Sequence, residues 1–249
     1  MTGGASGVGH AAAARFAREG ALVGVLDVDE SGSNRVVRSI QAEGGTAVSI
    51  VCDLVDGDAV RRAVRDFARQ QGGLDVLVSN AAIARHGSVP DLDPADWRLL
   101  LDVNLGGFFH SSAAAIPIME NNGGGAIVAV SSVHAYASSA LSAAYAATKA
   151  GIVAMVRSMA IDHARSGIRI NSVAPGSVDT PMLQASAQRR SPGDPTAALE
   201  DWAERHPIGR LSQPAEIAAM IAFLASTDAS AVTGTCSVVD GGLLARLSL

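Results

Sequence analysis

The amino-acid sequence predicts a single α/β domain built on a doubly wound parallel sheet, on three observations. Apolar strand-like runs alternate with helix-like segments along the chain, the order that a parallel sheet with crossover helices requires. A glycine-rich turn near the N-terminus leads into a helix and then into a strand that ends in an acidic residue. At 249 residues, with 48% hydrophobic and 17% charged side chains, the chain is long enough for one large domain with a substantial core.

The opening MTGGASGVGHAAAARFAREG reads as a tight turn running into an amphipathic helix. Its pattern is T-G-x-x-x-G-x-G, with Gly3, Gly7 and Gly9, and Ser6 and Val8 lie in the same turn. Glycines so placed let the backbone approach a pyrophosphate at the helix N-terminus. ALVGVLD follows as a strand and ends in Asp27, eighteen residues after Gly9. That is close to the spacing of a carboxylate that accepts from an adenosine ribose 2′-hydroxyl and repels a 2′-phosphate. The alternative is that Asp27 caps the next helix, a task Asp29 can take instead.

A turn of this kind normally follows a strand, and only Met1 precedes Thr2. The expectation is therefore that the first strand is missing from this chain, through a misplaced start or a truncation. Such a strand has about five or six residues. Its buried aliphatic side chains would be worth on the order of 5–10 kcal/mol, comparable to the net stability of an ordinary domain.

ESGSNRVVRSIQAEGG is predicted helical and ends in glycine, and TAVSIVCDL is a strand ending in Asp53. In a purely structural reading Asp53 caps the following helix, GDAVRRAVRDFARQQGG. LDVLVSNAA is a further strand, and DPADWRLLLDVNLGGFFHSSAAAIPIM has helical apolar spacing with the polar Asn104 on its apolar face. Asn104 reads equally as a buried amide satisfying the backbone at a helix distortion and as a functional group. GGGAIVAVSS is a strand that delivers Ser132, where a hydroxyl can point into a cleft and bind a substrate oxygen. GIRINSVAPG is a strand ending in Pro175-Gly176, which an ordinary strand-to-loop turn would also explain. Residues 182–206 read as a mobile substrate lid with short helical parts, PAEIAAMIAFLAS as a helix opened by proline, and VTGTCSVVDGG as the last strand.

The chemistry centres on SSVHAYASSALSAAYAATKAG, from Ser131 to Gly151. Tyr145 and Lys149 are four apart in an alanine-rich helical segment, so both side chains project from one face. A phenol titrates near ~10, and proton exchange near neutrality requires a lowering of about 4 kcal/mol. One ammonium about 4 Å away at an effective dielectric near 20 supplies roughly that much. Lys149 is the only lysine in a chain that otherwise uses arginine, and its compact ammonium shifts pKa more readily than a guanidinium does.

With Ser132 thirteen positions before Tyr145, the chain resembles the classical short-chain dehydrogenase/reductase family over nearly its whole length. The resemblance implies a Rossmann-type fold with strand order 3-2-1-4-5-6-7 and a nicotinamide dinucleotide cofactor. Ser6 stands where NADP-preferring relatives often carry a basic residue, so Ser6 and Asp27 together favour NAD. Asp53 is expected at the adenine with Leu54 beside it. Asn80 and Ala81 keep the centre of the family's N-N-A-G element, which contacts the cofactor through its backbone, while Ser79 and Ala82 replace its ends. Asn104, in V-N-L-x-G-x-F, is expected to kink its helix and hold a water linking the lysine to solvent. Pro175, Gly176, Val178 and Thr180 match P-G-x-x-x-T, which implies that Val178 and Thr180 touch the nicotinamide carboxamide. The terminal V-T-G-x-x-x-x-V-D-G-G packs at a subunit interface in many members, implying a homodimer or homotetramer.

A formal charge of −5 gives no electrostatic reason to expect nucleic acid or an anionic membrane as partner. Cys52 and Cys236 are too few and too far apart for a disulfide framework or a metal site, and they suit a reducing cytoplasm. No apolar run approaches the ~20 residues of a membrane span. The expected activity is NAD-dependent interconversion of a secondary alcohol and a ketone. Tyr145 is the acid/base, Lys149 its modulator and ribose ligand, Ser132 the substrate-oxygen ligand and Asn104 the relay support. The alternatives are an NADP-dependent reductase of acyl thioesters and a non-catalytic cofactor-binding relative. Residues 83–89, 134–139 and the lid show no paired cations: Arg85, Arg189 and Arg190 stand singly, and His86, His134 and Tyr136 line the pocket or merely pack. A medium-sized neutral alcohol, sugar or steroid-like substrate is therefore expected.

Overall fold

A computed structural model describes residues 1–246. Six parallel strands form the sheet: β1 (Leu22–Asp27), β2 (Thr46–Val51), β3 (Val76–Ser79), β4 (Gly125–Val130), β5 (Ile168–Pro175) and β6 (Cys236–Val239). β1 pairs with β2 from Leu22 opposite Thr46, and β3 to β6 pair in sequence order, with Val76 opposite Ala126 and Gly125 opposite Ile168. Between β1 and β3 the chain supplies Met1 and Thr2. Thr2 bridges Leu26 on one side and Ser79 on the other, its amide donating to Val78 at 2.9 Å while Leu26 donates to the Met1 carbonyl at 2.9 Å. Thr2 therefore marks the place where strand order reverses, β2-β1 running one way and β3 to β6 the other. Ligands of open parallel sheets bind at this reversal.

Strand side chains alternate between two helical layers because both faces of a parallel sheet are buried. Ile127 and Ala129 face Phe108, Ala115, Met119, Ile152 and Val156. These come from α5 (Gly107–Asn121) and α6 (Ala143–His163). Val128 and Val130 face the opposite way, toward Ala12, Ile217 and Ile221, which belong to α1 (Gly7–Arg18) and α9 (Pro214–Ala225). α2 (Glu30–Ala42) and α3 (Gly57–Gln71) complete the layers beside β1 and β2.

One expectation is corrected. The helix after β2 is capped by Asp56, which accepts from Asp58 and Ala59, and not by Asp53. Asp29, which accepts from Gly32, caps α2 and leaves Asp27 free of that task. The helical parts expected within residues 182–206 are α7 (Pro181–Arg190) and α8 (Pro195–Arg205). Pro195 sits in the first turn of α8, where a missing amide hydrogen costs nothing, and Asp194 caps it.

The helix from Pro94 to Asn121 is α4 (Pro94–Leu100), a π-helical turn (Leu101–Gly106) and α5. By length and hydropathy alone it would cross a membrane. Its Phe108, Ala115 and Met119 are instead buried against the sheet, so it is a core helix.

Candidate active site

The N-terminal turn forms a cradle with no room for side chains. Gly3 has φ +63°, and a Cβ there would lie 2.6 Å from the Ala81 α-carbon. A Cβ on Gly9 would lie 2.1 Å from the Gly3 carbonyl oxygen, and one on Gly7 would lie 3.1 Å from the Thr180 methyl. Asn80 locks the turn by donating to the carbonyls of Thr2 and Gly3, while the amides of Asn80 and Ala81 donate to the Thr2 hydroxyl. Ser6 precedes α1 with its side chain exposed, and Val8 packs inward with the α9 cluster. The first turn of α1 thus presents backbone amides beside β1's end, a geometry suited to a phosphate pair.

Asp27 closes β1. Its carboxylate accepts from Ala5 of the glycine turn at 3.0 Å and from Asp29 at 3.1 Å, so it is fixed against the cradle. Asp53 lies at the next strand's end, exposed and accepting from Val55. Leu54 buries its side chain against Gly107, which leaves only its backbone to face a ligand. On the far side, Val178 pairs with Ser212, and Thr180 donates to the Val178 carbonyl and caps α7 through Leu183. The loop from Pro175 to Thr180 therefore crosses the strand ends and meets the cradle at Gly7.

His206, read in the sequence only as the end of the lid, holds that loop. It is buried; its Nδ1 donates to the Trp202 carbonyl at 2.7 Å, and its Nε2 accepts from Ser177 at 3.1 Å. The two partners fix the neutral tautomer. No local pattern marks this histidine, because Ser177 lies twenty-nine residues away.

Ser132, Tyr145, Lys149 and Asn104 converge beyond the end of β4. Ser132 accepts from His134 at 3.2 Å, and its hydroxyl stands near the Tyr145 phenol. Lys149 is buried beneath the Tyr145 ring, its ammonium 5.6 Å from the ring centroid and donating to the Val130 carbonyl at 2.8 Å. Ser131 anchors the same helical turn by donating to the Lys149 carbonyl at 2.8 Å. Asn104 sits in the π-helical turn, buried. Its Oδ1 accepts from Ile83 at 2.8 Å, and its Nδ2 donates to the Ile83 carbonyl at 3.0 Å and to Thr148 at 3.2 Å. An extra residue in a helical turn is how a helix turns such an amide inward.

The predicted acidification of the phenol is absent from this site. Burial pushes Tyr145 up to about 12, against a smaller lowering by the Ser132 hydroxyl. Burial also pulls Lys149 down to about 8. The ammonium gives its short hydrogen bond to Val130, so desolvation outweighs its attraction for a phenolate. The protein alone therefore keeps Tyr145 protonated, in the form that donates a proton to an oxygen. Of the other predicted pocket residues, His134 meets the Tyr145 ring edge-on with centroids 5.6 Å apart. Tyr136 is exposed.

The family described as Enoyl-(Acyl carrier protein) reductase matches residues 3–244. The chain is 42% identical over 246 residues to cis-4-hydroxycyclohexanecarboxylate dehydrogenase of Sinomonas cyclohexanicum, covering 98% of this chain and 95% of the relative. It is 36% identical over 244 residues to the 3-oxoacyl-(acyl-carrier-protein) reductase FabG of Thermotoga maritima, covering 98% and 96%. The structure of levodione reductase superposes with a TM-score of 0.96 at 33% identity, covering 99% of this chain and 96% of that one.

Proposed function

The chain belongs to the classical short-chain dehydrogenase/reductase family and is an oxidoreductase acting on CH–OH groups, and we propose that it interconverts a secondary alcohol and a ketone with NAD as hydride carrier. The observation that carries this reading is the convergence of Ser132, Tyr145 and Lys149 beyond the end of β4, on the same strand-end side of the sheet as the glycine cradle.

The residues present fit a dinucleotide. Gly3, Gly7 and Gly9 leave the space a pyrophosphate needs, and the carboxylate of Asp27 stands against the cradle where a ribose hydroxyl would donate and a 2′-phosphate would be repelled. Asp53, with the backbone of Leu54, would border the adenine; Asn80 and Ala81 would border the middle of the molecule; Pro175, Gly176, Val178 and Thr180 would hold the nicotinamide end. When bound, the cofactor supplies the hydride acceptor and, oxidised, a positive charge beside the phenol. Tyr145 gives its proton to the carbonyl oxygen in reduction and takes it from the hydroxyl in oxidation. Ser132 holds the same oxygen, Lys149 would donate to the nicotinamide ribose, and Asn104 keeps the turn around Ile83 and Thr148 in register for a proton path.

The substrate is a small alcohol or ketone, and the relative that acts on a hydroxycyclohexanecarboxylate supports a ring-borne hydroxyl. Identity to a 3-oxoacyl-thioester reductase favours a second reading, NADP-dependent ketone reduction; the Asp27 carboxylate at the cradle weighs against it. Exposed Phe109 on α5, Ile161 on α6 and Val238 on β6 support a homo-oligomer, dimer or tetramer. The two free cysteines support a cytoplasmic location. Tyr145→Phe should abolish turnover of alcohols while nucleotide binding, read by thermal shift, stays nearly intact. Unchanged turnover overturns the assignment.

A further inference from the structure

We infer that His206 is a positioning residue for the reaction, setting the loop from Pro175 to Thr180 so that it receives the nicotinamide end of the cofactor; this rests on the reading of that loop as the nicotinamide loop. The imidazole and the loop are closely fitted. A Cβ on Gly176 would lie 2.8 Å from His206 Nε2 and 3.0 Å from the Asp240 α-carbon, so the ring fills the space a side chain would need there. A Cβ on Gly241 would lie 3.6 Å from the His206 Cβ. His206 is thus wedged between the loop and the segment that follows β6.

Backbone pairs hold the loop on both sides of Ser177. Gly176 donates to the Val239 carbonyl at 3.1 Å and Asp179 to the Ser212 carbonyl at 2.9 Å, while the Ser177 carbonyl accepts from Ser212 at 3.0 Å. The Ser177 amide between them gives its hydrogen to a side chain, His206 Nε2, at 3.1 Å. Without that acceptor the amide is stranded beside the ligand's place, and the loop must shift to satisfy it. The same ring donates from Nδ1 to the Trp202 carbonyl of α8 at 2.7 Å. Arg190, at the end of α7, clamps the two helices together by lying over the Trp202 ring and 3.7 Å from Asp201. Because α7 starts directly after Thr180, loop, α7 and α8 form a closed circuit, and His206 is the link that completes it. The hydrogen bonds that shape the glycine turn run to Asn80 and Asp27 instead. The adenosine end of a dinucleotide is therefore braced separately from the nicotinamide end.

The test compares NADH with ADP-ribose, which shares the adenosine and pyrophosphate but has no nicotinamide, each titrated calorimetrically into the intact protein. Wild type should prefer NADH. Asparagine places an amide nitrogen where Nδ1 stands, and glutamine places an oxygen where Nε2 stands, so the two substitutions separate the two bonds. His206→Asn keeps a donor for Trp202 and loses the acceptor for Ser177; it should weaken NADH about tenfold while ADP-ribose stays within about twofold. His206→Gln keeps the acceptor and should retain the preference for NADH. A residue that serves only the fold would weaken both ligands alike. Equal losses for the two ligands, or a preference lost in His206→Gln, overturn the inference, and the glutamine variant decides alone if the asparagine variant does not fold. A wild-type preference that survives His206→Asn refutes the positioning role and leaves the nicotinamide loop standing. A wild type that binds the two ligands alike refutes the loop's assignment and the inference with it.

Discussion

Replacing Lys149 with methionine separates what this side chain costs the fold from what it does in the cleft. Burial lowers its ammonium from 10.5 to about 8, which at pH 7 corresponds to about 3 kcal/mol against the folded state. Methionine has similar reach and no charge, but it leaves the Val130 carbonyl without the donor it now has at 2.8 Å, a loss of about 1–3 kcal/mol. The variant should therefore lie between equal stability and about 2 kcal/mol of added stability, while turnover is lost. The pH dependence gives the sharper reading. The folded chain releases this proton near 8 and the unfolded chain near 10.5, so between those values the unfolded state binds more protons and wild-type stability rises with pH. Between pH 7 and 9.5 the rise relative to the variant should be about 2 kcal/mol. Urea unfolding, followed by the fluorescence of Trp97 and Trp202 at the two pH values, measures it. A variant clearly less stable than wild type at pH 7, or one with the same slope against pH, refutes the account of Lys149 as a buried, desolvated cation.

Gly9→Ala places a methyl 2.1 Å from the Gly3 carbonyl, and should cost about 1–3 kcal/mol along with most of the nucleotide affinity; thermal melts with and without NAD check both. Asp27→Asn keeps an acceptor for Ala5 but removes the charge, so preference for NAD over NADP should fall by about tenfold, or about 1.4 kcal/mol, in the ratio of kcat/KM values. Asn104→Leu strands the amide and carbonyl of Ile83, and should cost about 2–4 kcal/mol in urea unfolding. If unfolding free energy is unchanged, Asn104 is not the clamp described.

Much of the site was legible because it is written in local geometry. Tyr145 and Lys149 share a face because four residues along a helix make about one turn. The three glycines announce a turn that tolerates no Cβ, and each apolar run between breakers became a strand. Asp56 took the cap expected of Asp53 because the helix starts at Gly57, a boundary that hydrophobic spacing does not fix within a few residues.

What sequence alone determined is the set of elements and their order, and it singled out the groups that the fold then brings together. Tertiary structure decided their state. Val130 comes from a strand nineteen residues before Lys149 and claims its ammonium, and the packing around Tyr145 desolvates its hydroxyl, raising the phenol that spacing alone had suggested would fall. The contact of His206 with Ser177 likewise exists only after the chain has folded back on itself. Spacing is a property of consecutive residues, whereas desolvation and charge depend on what else occupies the same few ångströms, and distant parts of the chain supply that.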